Sequence, residues 1–432
     1  MRVLMFGWEF PPHISGGLGT ASYGLTRGMA AMNDMEVIFV VPKIWGDEEQ
    51  SKVRLIGANK TPVAYKKVWF KGFRRAVEKI EISSKIVPYT DPEDFWRLTK
   101  SEVSGYNMYV QTNNEGEVDF SGRYDCNLME EINKYAIVAA VIAQENEFDV
   151  IHAHDWLAYP AGIAAMEVSG KPLVIHVHAT DFDRSGGNVN PDVYRIEKRG
   201  MDAASRIITV SNLTRDIVVT KYQVDPSKVE TVYNAVEPIC ISEDIHIRKG
   251  FDEKVVTFLG RITLQKGPEY FIEAANKVLK VMKNVRFVMA GSGDMMERMM
   301  RRAAALKITD RFHFTGFLRG NDVFTMLTMS DVYIMPSVSE PFGISPLEAM
   351  QSNVPVIISK QSGVAEILTH AVKVDFWDID AIADAIYGIL TYPALSKMFI
   401  KNGKEEVIML KWDNSARHVR NIYNEVISKH NS

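Results

Sequence analysis

Residues 332–350 read VYIMPSVSEPFGISPLEAM, and this stretch contains the repeating unit on which the fold is built. Val332–Met335 have the β-branched and aromatic character of a buried strand, and a proline ends them. After a short loop, Ser345-Pro346-Leu347-Glu348 has the residue order of a capping box with proline at the first helical position. The stretch therefore predicts a strand, a loop and a helix in succession.

The same unit recurs on both sides of this stretch, as short apolar runs that alternate with helix-period segments. Such alternation predicts βαβ units on a parallel sheet. The chain has 432 residues, whereas a single core stops growing at roughly 250 to 300 residues, so two doubly wound α/β domains are expected. The predicted strands are Val3–Phe6, Val37–Val41, Val150–His154, Leu173–His178 and Ile207–Val210 in the first half, and Val255–Leu259, Phe287–Ala290, Phe312–Thr315, Val332–Met335 and Val356–Ser359 in the second.

We divide the chain into a first domain, residues 1–237, and a second domain, residues 238–411. The stretch Glu237–Glu253 contains Pro238 and has weak periodicity, which favours a linker. Residues 45–127 break the βαβ rhythm and are interpreted as an insertion in the first domain. An amphipathic helix from about Asn414 to Ser428 could pack on either domain by its pattern, and we assign residues 412–432 to the first.

Composition excludes several classes of protein. The net charge of −4 gives no basic field of the kind that concentrates nucleic acid. The two cysteines, Cys126 and Cys240, lie far apart, which predicts neither a disulfide framework nor a cysteine metal site. The apolar run at the start of the chain is too short for a signal peptide or a membrane span. We expect a cytoplasmic protein.

Two loops that follow predicted strands are candidate ligand sites, because ligands of parallel sheets bind beyond the carboxyl ends of the strands. Gly16 and Gly17 precede a helix that begins near Leu18, either as a tight turn or as a loop that lets the backbone approach a phosphate or a sugar. Arg261 and Lys266 precede a helix that begins near Pro268. Two cations at a helix N-terminus oppose its macrodipole, so an anionic diphosphate explains them better than a solvated surface does.

Two glutamates of the first quoted stretch are candidates for sugar binding. The capping box explains Glu348 on structural grounds alone. Glu340 has no such explanation, because it lies in the loop between Ser339 and Pro341, where a carboxylate would meet sugar hydroxyls.

The histidines of two neighbouring predicted strands are a further group. His176 and His178 alternate on one strand and therefore share a face, and His178 stands at the strand end. We take His178 as the functional residue, with His176 as the fallback. The spacing of the residues around His154 has no metal signature, and Asp181-Phe182-Asp183 is too common a pattern to assign a metal.

Glu340, seven residues and Glu348, with Pro-Ser before them and Ala-Met after, resemble the signature of retaining GT-B glycosyltransferases. The resemblance covers nearly the whole chain and implies two doubly wound parallel-sheet domains that face a central cleft. The other motifs follow in the order usual for the family: the opening loop, His154-Asp155-Trp156, Val210-Ser211, Asn234, Arg261 with Lys266, and Gly291-Ser292-Gly293.

The resemblance also implies a role for each candidate residue. Arg261 and Lys266 would bind the donor diphosphate, and Glu348 would bind the ribose. Glu340 and His178 would hold the donor sugar at the reacting centre. No metal or other cofactor is expected, because the cationic loop neutralises the diphosphate. Phe317 and Leu318 would lie beside the base, and Gly16 and Gly17 would also contact the donor. The backbone of Phe342, Gly343 and Ile344 would contact the donor sugar. The cleft or the acceptor site would be lined by His154, Asp155 and Trp156.

Glycogen and starch synthases are the members that this chain resembles most. They imply transfer of glucose from ADP-glucose or UDP-glucose to an α-1,4-glucan. Ser15 and Ala235 depart from the lysine and glycine usual in the synthases. The alternatives are therefore a family 4 glycosyltransferase with a lipid-linked or small-molecule acceptor, and a glycan-binding relative without catalysis.

Residues 66–75 read KKVWFKGFRR, a basic and aromatic cluster inside the predicted insertion. A solvated loop or an aromatic platform for glucan is the favoured interpretation. Docking on an anionic membrane surface is the less favoured one.

Overall fold

The structure, a computed structural model, describes residues 1–14, 16–48, 53–63, 113, 116–122, 124, 128–238 and 249–432. Within these residues the chain forms two parallel β-sheets, one in each half. Each sheet has an apolar cluster on both of its faces, as expected for helices that cover both sides of a parallel sheet.

The first sheet has seven strands in the order β3-β2-β1-β4-β5-β6-β7. The order reverses between β1 and β4, which creates the crevice where ligands of such sheets bind. The strands are β1 (Arg2–Phe6), β2 (Glu36–Val41), β3 (Arg54–Gly57), β4 (Val150–His154), β5 (Leu173–Val177), β6 (Arg206–Thr209) and β7 (Val229–Thr231). The described helices of this half are α1 (Gly17–Ala30), α2 (Leu128–Glu145), α3 (Asp155–Ser169), α4 (Asp181–Ser185), α5 (Pro191–Ala203) and α6 (Asn212–Lys221).

The second sheet has six strands in the order β10-β9-β8-β11-β12-β13, with the reversal between β8 and β11. Its strands are β8 (Lys254–Leu259), β9 (Val285–Ala290), β10 (Phe312–Gly316), β11 (Val332–Met335), β12 (Val356–Ser359) and β13 (Val372–Val374). The helices that follow are α7 (Pro268–Val281), α8 (Met296–Ala305), α9 (Asn321–Thr328), α10 (Ser345–Gln351), α11 (Ile379–Thr391), α12 (Pro393–Ile408) and α13 (Trp412–Asn431).

Every strand predicted from the sequence is present, with ends that differ by at most two residues. The structure adds three short strands, β3, β7 and β13, at sheet edges. β3 pairs in parallel with β2, so the first sheet continues into the segment interpreted as an insertion. Residues 239–248 of the predicted linker, both cysteines and the cluster at residues 66–75 lie outside the described residues.

The last helix, α13, packs against α1 of the first half. A Cβ atom on Gly24 would lie 2.3 Å from the Trp412 ring, so only glycine allows this approach. Trp412, Val419 and Tyr423 belong to the same apolar cluster as Val3 of β1. The chain thus returns to the first sheet after completing the second. Among the described helices, none is long and apolar enough to cross a bilayer.

Candidate active site

The carboxyl edges of the two sheets face each other across a cleft. Ser339, after β11, donates a hydrogen bond of 2.6 Å to Asp183 of α4. The rings of Tyr233, after β7, and Phe342 lie 6.5 Å apart. Because each of these residues follows the end of a strand, the loops that the sequence marks as ligand sites meet between the two sheets.

The loop between β8 and α7 carries the two candidate diphosphate-binding cations. Arg261 is exposed, and its guanidinium donates a hydrogen bond of 3.2 Å to Gln265. No carboxylate in the described part of the chain forms an ion pair with Arg261. The Lys266 ammonium forms an ion pair with Glu340. The loop therefore offers one unpaired cation and one whose partner is itself a candidate site residue.

Glycines bring the surrounding loops into backbone contact. Gly267 has a φ of 65°, and a Cβ atom there would lie 2.0 Å from the Pro336 carbonyl oxygen. A Cβ on Gly291 would lie 1.8 Å from the Gly260 carbonyl oxygen. The loops that follow β8, β9 and β11 are thus packed too closely for side chains at these positions, which fixes Lys266 relative to the β11 loop.

Glu340 is held rigidly in that loop. Its backbone N–H donates a hydrogen bond of 3.0 Å to the Gln361 carbonyl, and its own carbonyl accepts a hydrogen bond of 2.9 Å from the Gly363 N–H. The carboxylate accepts a hydrogen bond of 3.3 Å from Ser337 besides the Lys266 ion pair. Glu340 is 7% exposed, so its carboxylate can reach only a ligand that enters the cleft.

The predicted capping box at Ser345 is wrong. Ile344 precedes α10 as its cap, and no side chain caps the helix. The Ser345 hydroxyl instead forms a hydrogen bond of 2.8 Å with the Tyr333 hydroxyl, because that group is buried beside it. No described group donates a hydrogen bond to the Glu348 carboxylate, and burial raises its pKa. Glu348 is therefore free to accept hydrogen bonds from a ligand.

Gly16 and Gly17 lie at the start of α1. A Cβ atom on either would meet nothing within 4 Å, and neither residue is in the left-handed region. Packing within the described residues therefore does not require glycine at these two positions. No side chain caps the N-terminus of α1, and its first turn holds no acidic residue. The Glu9 carboxylate lies beside this end of α1, since a Cβ atom on Gly19 would lie 2.7 Å from its oxygen.

His178 follows β5 and is anchored by two consecutive residues at the end of β4. The Asp155 carboxylate accepts a hydrogen bond of 2.7 Å from the backbone N–H of His178 and one of 3.1 Å from the Arg184 guanidinium. His154 Nδ1 lies 2.9 Å from His178 Nε2. His154 and Asp155 are 1% and 2% exposed, so they lie beneath His178 and not on the open surface of the cleft. Trp156 is half-buried against the first domain's core.

Family models match both halves of the chain. The model described as glycosyl transferases group 1 covers residues 242–406, and the model described as glycosyltransferase family 4 covers residues 131–238. The chain is a glycosyltransferase with the GT-B fold.

Relatives and solved structures agree with this assignment. The glycosyltransferase is 28% identical to an uncharacterized glycosyltransferase of Methanocaldococcus jannaschii, over 98% of each chain. It is 22% identical to a glycogen synthase of Mycobacterium tuberculosis, over 98% of this chain and 94% of the synthase.

Among solved structures it is similar to sucrose-phosphate synthase from Thermosynechococcus elongatus, with a TM-score of 0.71, 16% identity and 99% of both chains covered. It is also similar to Anabaena HepE in complex with UDP and glucose, with a TM-score of 0.67, 15% identity and 98% and 99% of the two chains covered. At these identities the structural likeness shows the fold alone.

Burial determines the charge states under the cleft of this glycosyltransferase. Burial, with the nearby Arg184 guanidinium, lowers the pKa of His178 to about 3. Burial raises the pKa of Asp155 to about 6, against the opposing effect of Arg184. At neutral pH His178 is therefore uncharged, which suits it to hydrogen bonding and not to holding a positive charge.

Two groups among the described residues bring three potential metal ligands together. His152, His154 and His176 have ring nitrogens within 4.8 Å of one another, and an exposed group is formed by His13, Asp47 and Glu48. The rings of His152 and His154 lie at 20°, and those of His154 and His176 at 25°. Lone pairs on near-parallel rings point side by side and do not converge on one ion.

The carboxylates of the Asp-x-Asp pattern have structural hydrogen bonds. Asp183 accepts hydrogen bonds of 2.8 Å from both the backbone and the hydroxyl of Thr180. Asp181 accepts one of 2.6 Å from the Asn190 N–H. Both therefore shape the turn around α4.

Phe317 and Leu318 follow β10 at the outer end of the second sheet. Phe317 is 49% exposed, and the Arg319 guanidinium lies 5.2 Å from the centre of its ring. Leu318 packs against the second domain's core. An exposed ring beside a cation offers a stacking surface for a base.

Sequence reasoning missed the residues that join the two domains. The Glu366 carboxylate accepts hydrogen bonds of 2.9 and 2.7 Å from the N–H groups of Asn212 and Leu213, at the start of α6. The Tyr233 hydroxyl donates a hydrogen bond of 2.9 Å to the same carboxylate. Ser339 and Asp183 form the other polar contact described above. Asn212, Ser339 and Glu366 each follow a predicted strand, but Tyr233 follows β7, which the sequence does not predict.

Proposed function

We propose that this glycosyltransferase transfers a hexose from a nucleotide-sugar to a glycan acceptor with retention of configuration. Glucose is the hexose that we favour. The acceptor that we favour is an α-1,4-glucan, which is elongated as in glycogen synthases. The observation that carries the proposal is the meeting of Lys266 and Glu340 across two loops beside the unpaired Arg261. A cation that can bind a diphosphate and a carboxylate that can bind a sugar are thus neighbours, which supports the proposal.

The two cations act on the leaving group. As the bond between the sugar and the diphosphate breaks, negative charge grows on the phosphate oxygens. Arg261 can bind two of these oxygens at once, while Lys266 acts as a mobile point charge. Cations that are already in place when this charge develops stabilise the transition state, so they lower the barrier and do not merely bind the donor. No divalent cation is needed in this scheme.

Other residues hold the donor at both ends. Glu340 accepts hydrogen bonds from the sugar hydroxyls once the diphosphate has replaced it as the partner of Lys266. The free carboxylate of Glu348 binds the ribose, and the base stacks on Phe317. His178 contributes a neutral hydrogen bond to the sugar at the reacting centre.

Retention follows from the direction of attack. The acceptor hydroxyl approaches the face of the sugar from which the nucleoside diphosphate departs, and its proton passes to a leaving phosphate oxygen. Closure of the cleft excludes the water that would otherwise hydrolyse the donor. The relative named glycogen synthase, which aligns with nearly the whole chain, supports a glucan acceptor. The complex of HepE with UDP and glucose supports a glucosyl donor.

A matrix of donors and acceptors tests the proposal. ADP-glucose, UDP-glucose and GDP-mannose are each incubated with glycogen, with a short maltooligosaccharide and with a polyprenyl phosphate in detergent. Release of nucleoside diphosphate measures turnover, and proton NMR of the product reports the anomer. We expect an α-linked product on glycogen from a glucosyl donor. A β-linked product refutes retention, and turnover only with the lipid or the short sugar refutes the glucan acceptor. Tight binding of a nucleotide-sugar without turnover would identify a catalytically inactive relative.

A further inference from the structure

The short helix α4 of the first domain contacts both loops that carry the candidate donor-binding residues. Ser339 of the β11 loop donates a hydrogen bond of 2.6 Å to Asp183 of the helix. Just after the helix, a Cβ atom on Gly186 would lie 3.3 Å from the Leu264 side chain. Leu264 lies two residues before Lys266 in the loop between β8 and α7. One element of the first domain therefore touches the loop of the candidate diphosphate site and the loop of the candidate sugar site.

The Asp183 carboxylate divides its two oxygens between the domains. Oδ2 accepts hydrogen bonds of 2.8 Å from both the backbone N–H and the hydroxyl of Thr180. Oδ1 accepts the hydrogen bond from Ser339, and no other group in the described part of the chain donates to it. Asp183 is 1% exposed, and a buried carboxylate oxygen that lacks a donor is costly. Asp183 therefore depends on the second domain to complete its hydrogen bonds.

Two buried carboxylates fix α4 within the first domain. Glu197, which is 2% exposed, accepts hydrogen bonds of 3.0 and 3.3 Å from the backbone N–H of Asp181, the first residue of the helix. Asp155, also 2% exposed, accepts one of 3.1 Å from the Arg184 guanidinium. Since these attachments lie on both sides of Asp183, the helix presents the Asp183 carboxylate to the second domain from a fixed position.

Ser339 lies next to the carboxylate that we assign to the donor sugar. It precedes Glu340, whose backbone is hydrogen-bonded to Gln361 and Gly363, so the two residues move with the same loop. The contact with Asp183 therefore sets where Glu340 lies relative to the first domain. This matters for transfer, because the acceptor site that the resemblance implies lies on the first domain. A misplacement of about 1 Å between reacting groups can slow a reaction by about 10²-fold.

We propose that Asp183 and Arg184 are positioning residues for Glu340. Arg184 holds α4 in the first domain, and Asp183 docks the helix on Ser339 while the cleft is closed. The sugar that Glu340 binds is thereby held at a defined place relative to the acceptor. The inference rests on the proposed role of Glu340 at the donor sugar, and it gives Asp183 a task in transfer besides its part in the turn around α4.

Amide hydrogen exchange of the full chain tests this link without measuring turnover. Coupling between two sites is reciprocal, so a change on one side of the cleft must appear on the other. Ser339→Ala, in the second domain, should speed exchange at residues 180–185 about tenfold, the value of one weak hydrogen bond to a charged group. Arg184→Lys keeps the charge but has no planar fork with which to hold Asp155, so it should speed exchange at residues 339–343. Unchanged exchange across the cleft in either variant overturns the proposal.

Ser169→Ala is the matched control for the exchange measurement. It removes a hydrogen bond of similar length, 2.7 Å to the Ala165 carbonyl, at the end of α3 on the opposite edge of the first sheet. Exchange in both segments should therefore be the same as in the wild-type protein. Faster exchange of equal size in this control would show a general loss of stability and would overturn the link.

Kinetics with UDP-glucose and glycogen provide the second readout. Ser339→Ala should lower kcat by about 10- to 100-fold, because saturating donor does not restore the position of Glu340. Ser339→Thr retains the hydroxyl and should recover most of the loss. A change confined to KM, as expected if the hydrogen bond only helps to close the cleft, would contradict positioning, and so would equal losses in the alanine and threonine variants. Full turnover by Glu340→Gln would refute the proposed role of Glu340 in the reaction, which the exchange data do not depend on.

Discussion

Replacing Glu366 by glutamine is expected to open the cleft of this glycosyltransferase. Glu366 belongs to the second domain, and all three of its hydrogen-bond donors belong to the first. They are the N–H groups of Asn212 and Leu213, at 2.9 and 2.7 Å, and the Tyr233 hydroxyl, at 2.9 Å. Because the first two lie at the start of α6, the carboxylate also neutralises the positive end of that helix. These hydrogen bonds join the two domains, so they are lost if the domains separate.

The magnitude follows from what glutamine retains. A glutamine side chain has the same size but only one oxygen, so at least one donor loses its acceptor and the negative charge is lost. A hydrogen bond to a charged group contributes about 1.5 to 3 kcal/mol and one to a neutral group about 0.5 to 1.5 kcal/mol. The helix-end interaction adds about 0.3 to 1 kcal/mol. Since Glu366 is exposed, the lower values apply, and the closed form loses about 1.5 kcal/mol, a factor of about ten.

Small-angle scattering and steady-state kinetics measure the two consequences. Glu366→Gln should have a larger radius of gyration than the wild-type protein without ligand, and its KM for the donor should rise by up to about tenfold, because fewer molecules are in the binding-competent form. The kcat should change less, since saturating donor restores closure. Glu297→Gln, which removes an exposed ion pair with Arg301 within α8, is the control. An unchanged radius of gyration together with an unchanged KM would show that Glu366 does not hold the two domains together.

Three further predictions concern the leaving group, the cofactor requirement and the last helix. Lys266→Ala should lower kcat in the nucleotide-release assay by about 10²- to 10³-fold. The control is Lys277→Ala, which removes an exposed ion pair with Asp380 and should leave kcat unchanged. Equal rates in the two variants would exclude Lys266 from the mechanism. Transfer should continue at the same rate in EDTA, because the cationic loop neutralises the diphosphate, and activity that is lost in EDTA and restored by Mg²⁺ would contradict this. Gly24→Ala should lower the free energy of urea unfolding by about 1 to 3 kcal/mol, since its Cβ would meet the Trp412 ring at 2.3 Å. Gly388→Ala, whose Cβ meets nothing within 4 Å in α11, should be neutral or stabilising, and equal losses in both variants would exclude packing as the cause.

The strands of both sheets could be predicted because each is an apolar run bounded by turn residues. β3, β7 and β13 escaped prediction because they have only three or four residues and lie at sheet edges. A strand at the edge of a sheet is in contact with solvent along one side. Polar residues such as Arg54 and Lys373 are therefore tolerated there, and they interrupt the apolar pattern. The contact of α13 with the first sheet shows a related limit, since an amphipathic helix does not specify its partner.

The candidate site could be predicted only as separate loops. The sequence identifies Arg261, Lys266 and Glu340 by residue type and position, but the ion pair between the last two depends on how β8 and β11 become neighbours. The capping box failed for a similar reason, because Ser345 bonds to Tyr333 on an adjacent strand. Local patterns predict local hydrogen bonds, and a nearby buried hydroxyl can replace them.

The return of α13 to the first sheet has a consequence for biosynthesis. Trp412, Val419 and Tyr423 complete an apolar cluster whose other members include Val3 and Met5. At about 5 to 20 residues per second, a ribosome needs about 9 to 36 s to travel from the end of β7 to the start of α13. During that interval the second sheet is synthesised, while α13 is still missing from one face of the first sheet. The domain that is synthesised first therefore finishes folding last, and its nascent form exposes a surface that a molecular chaperone would bind.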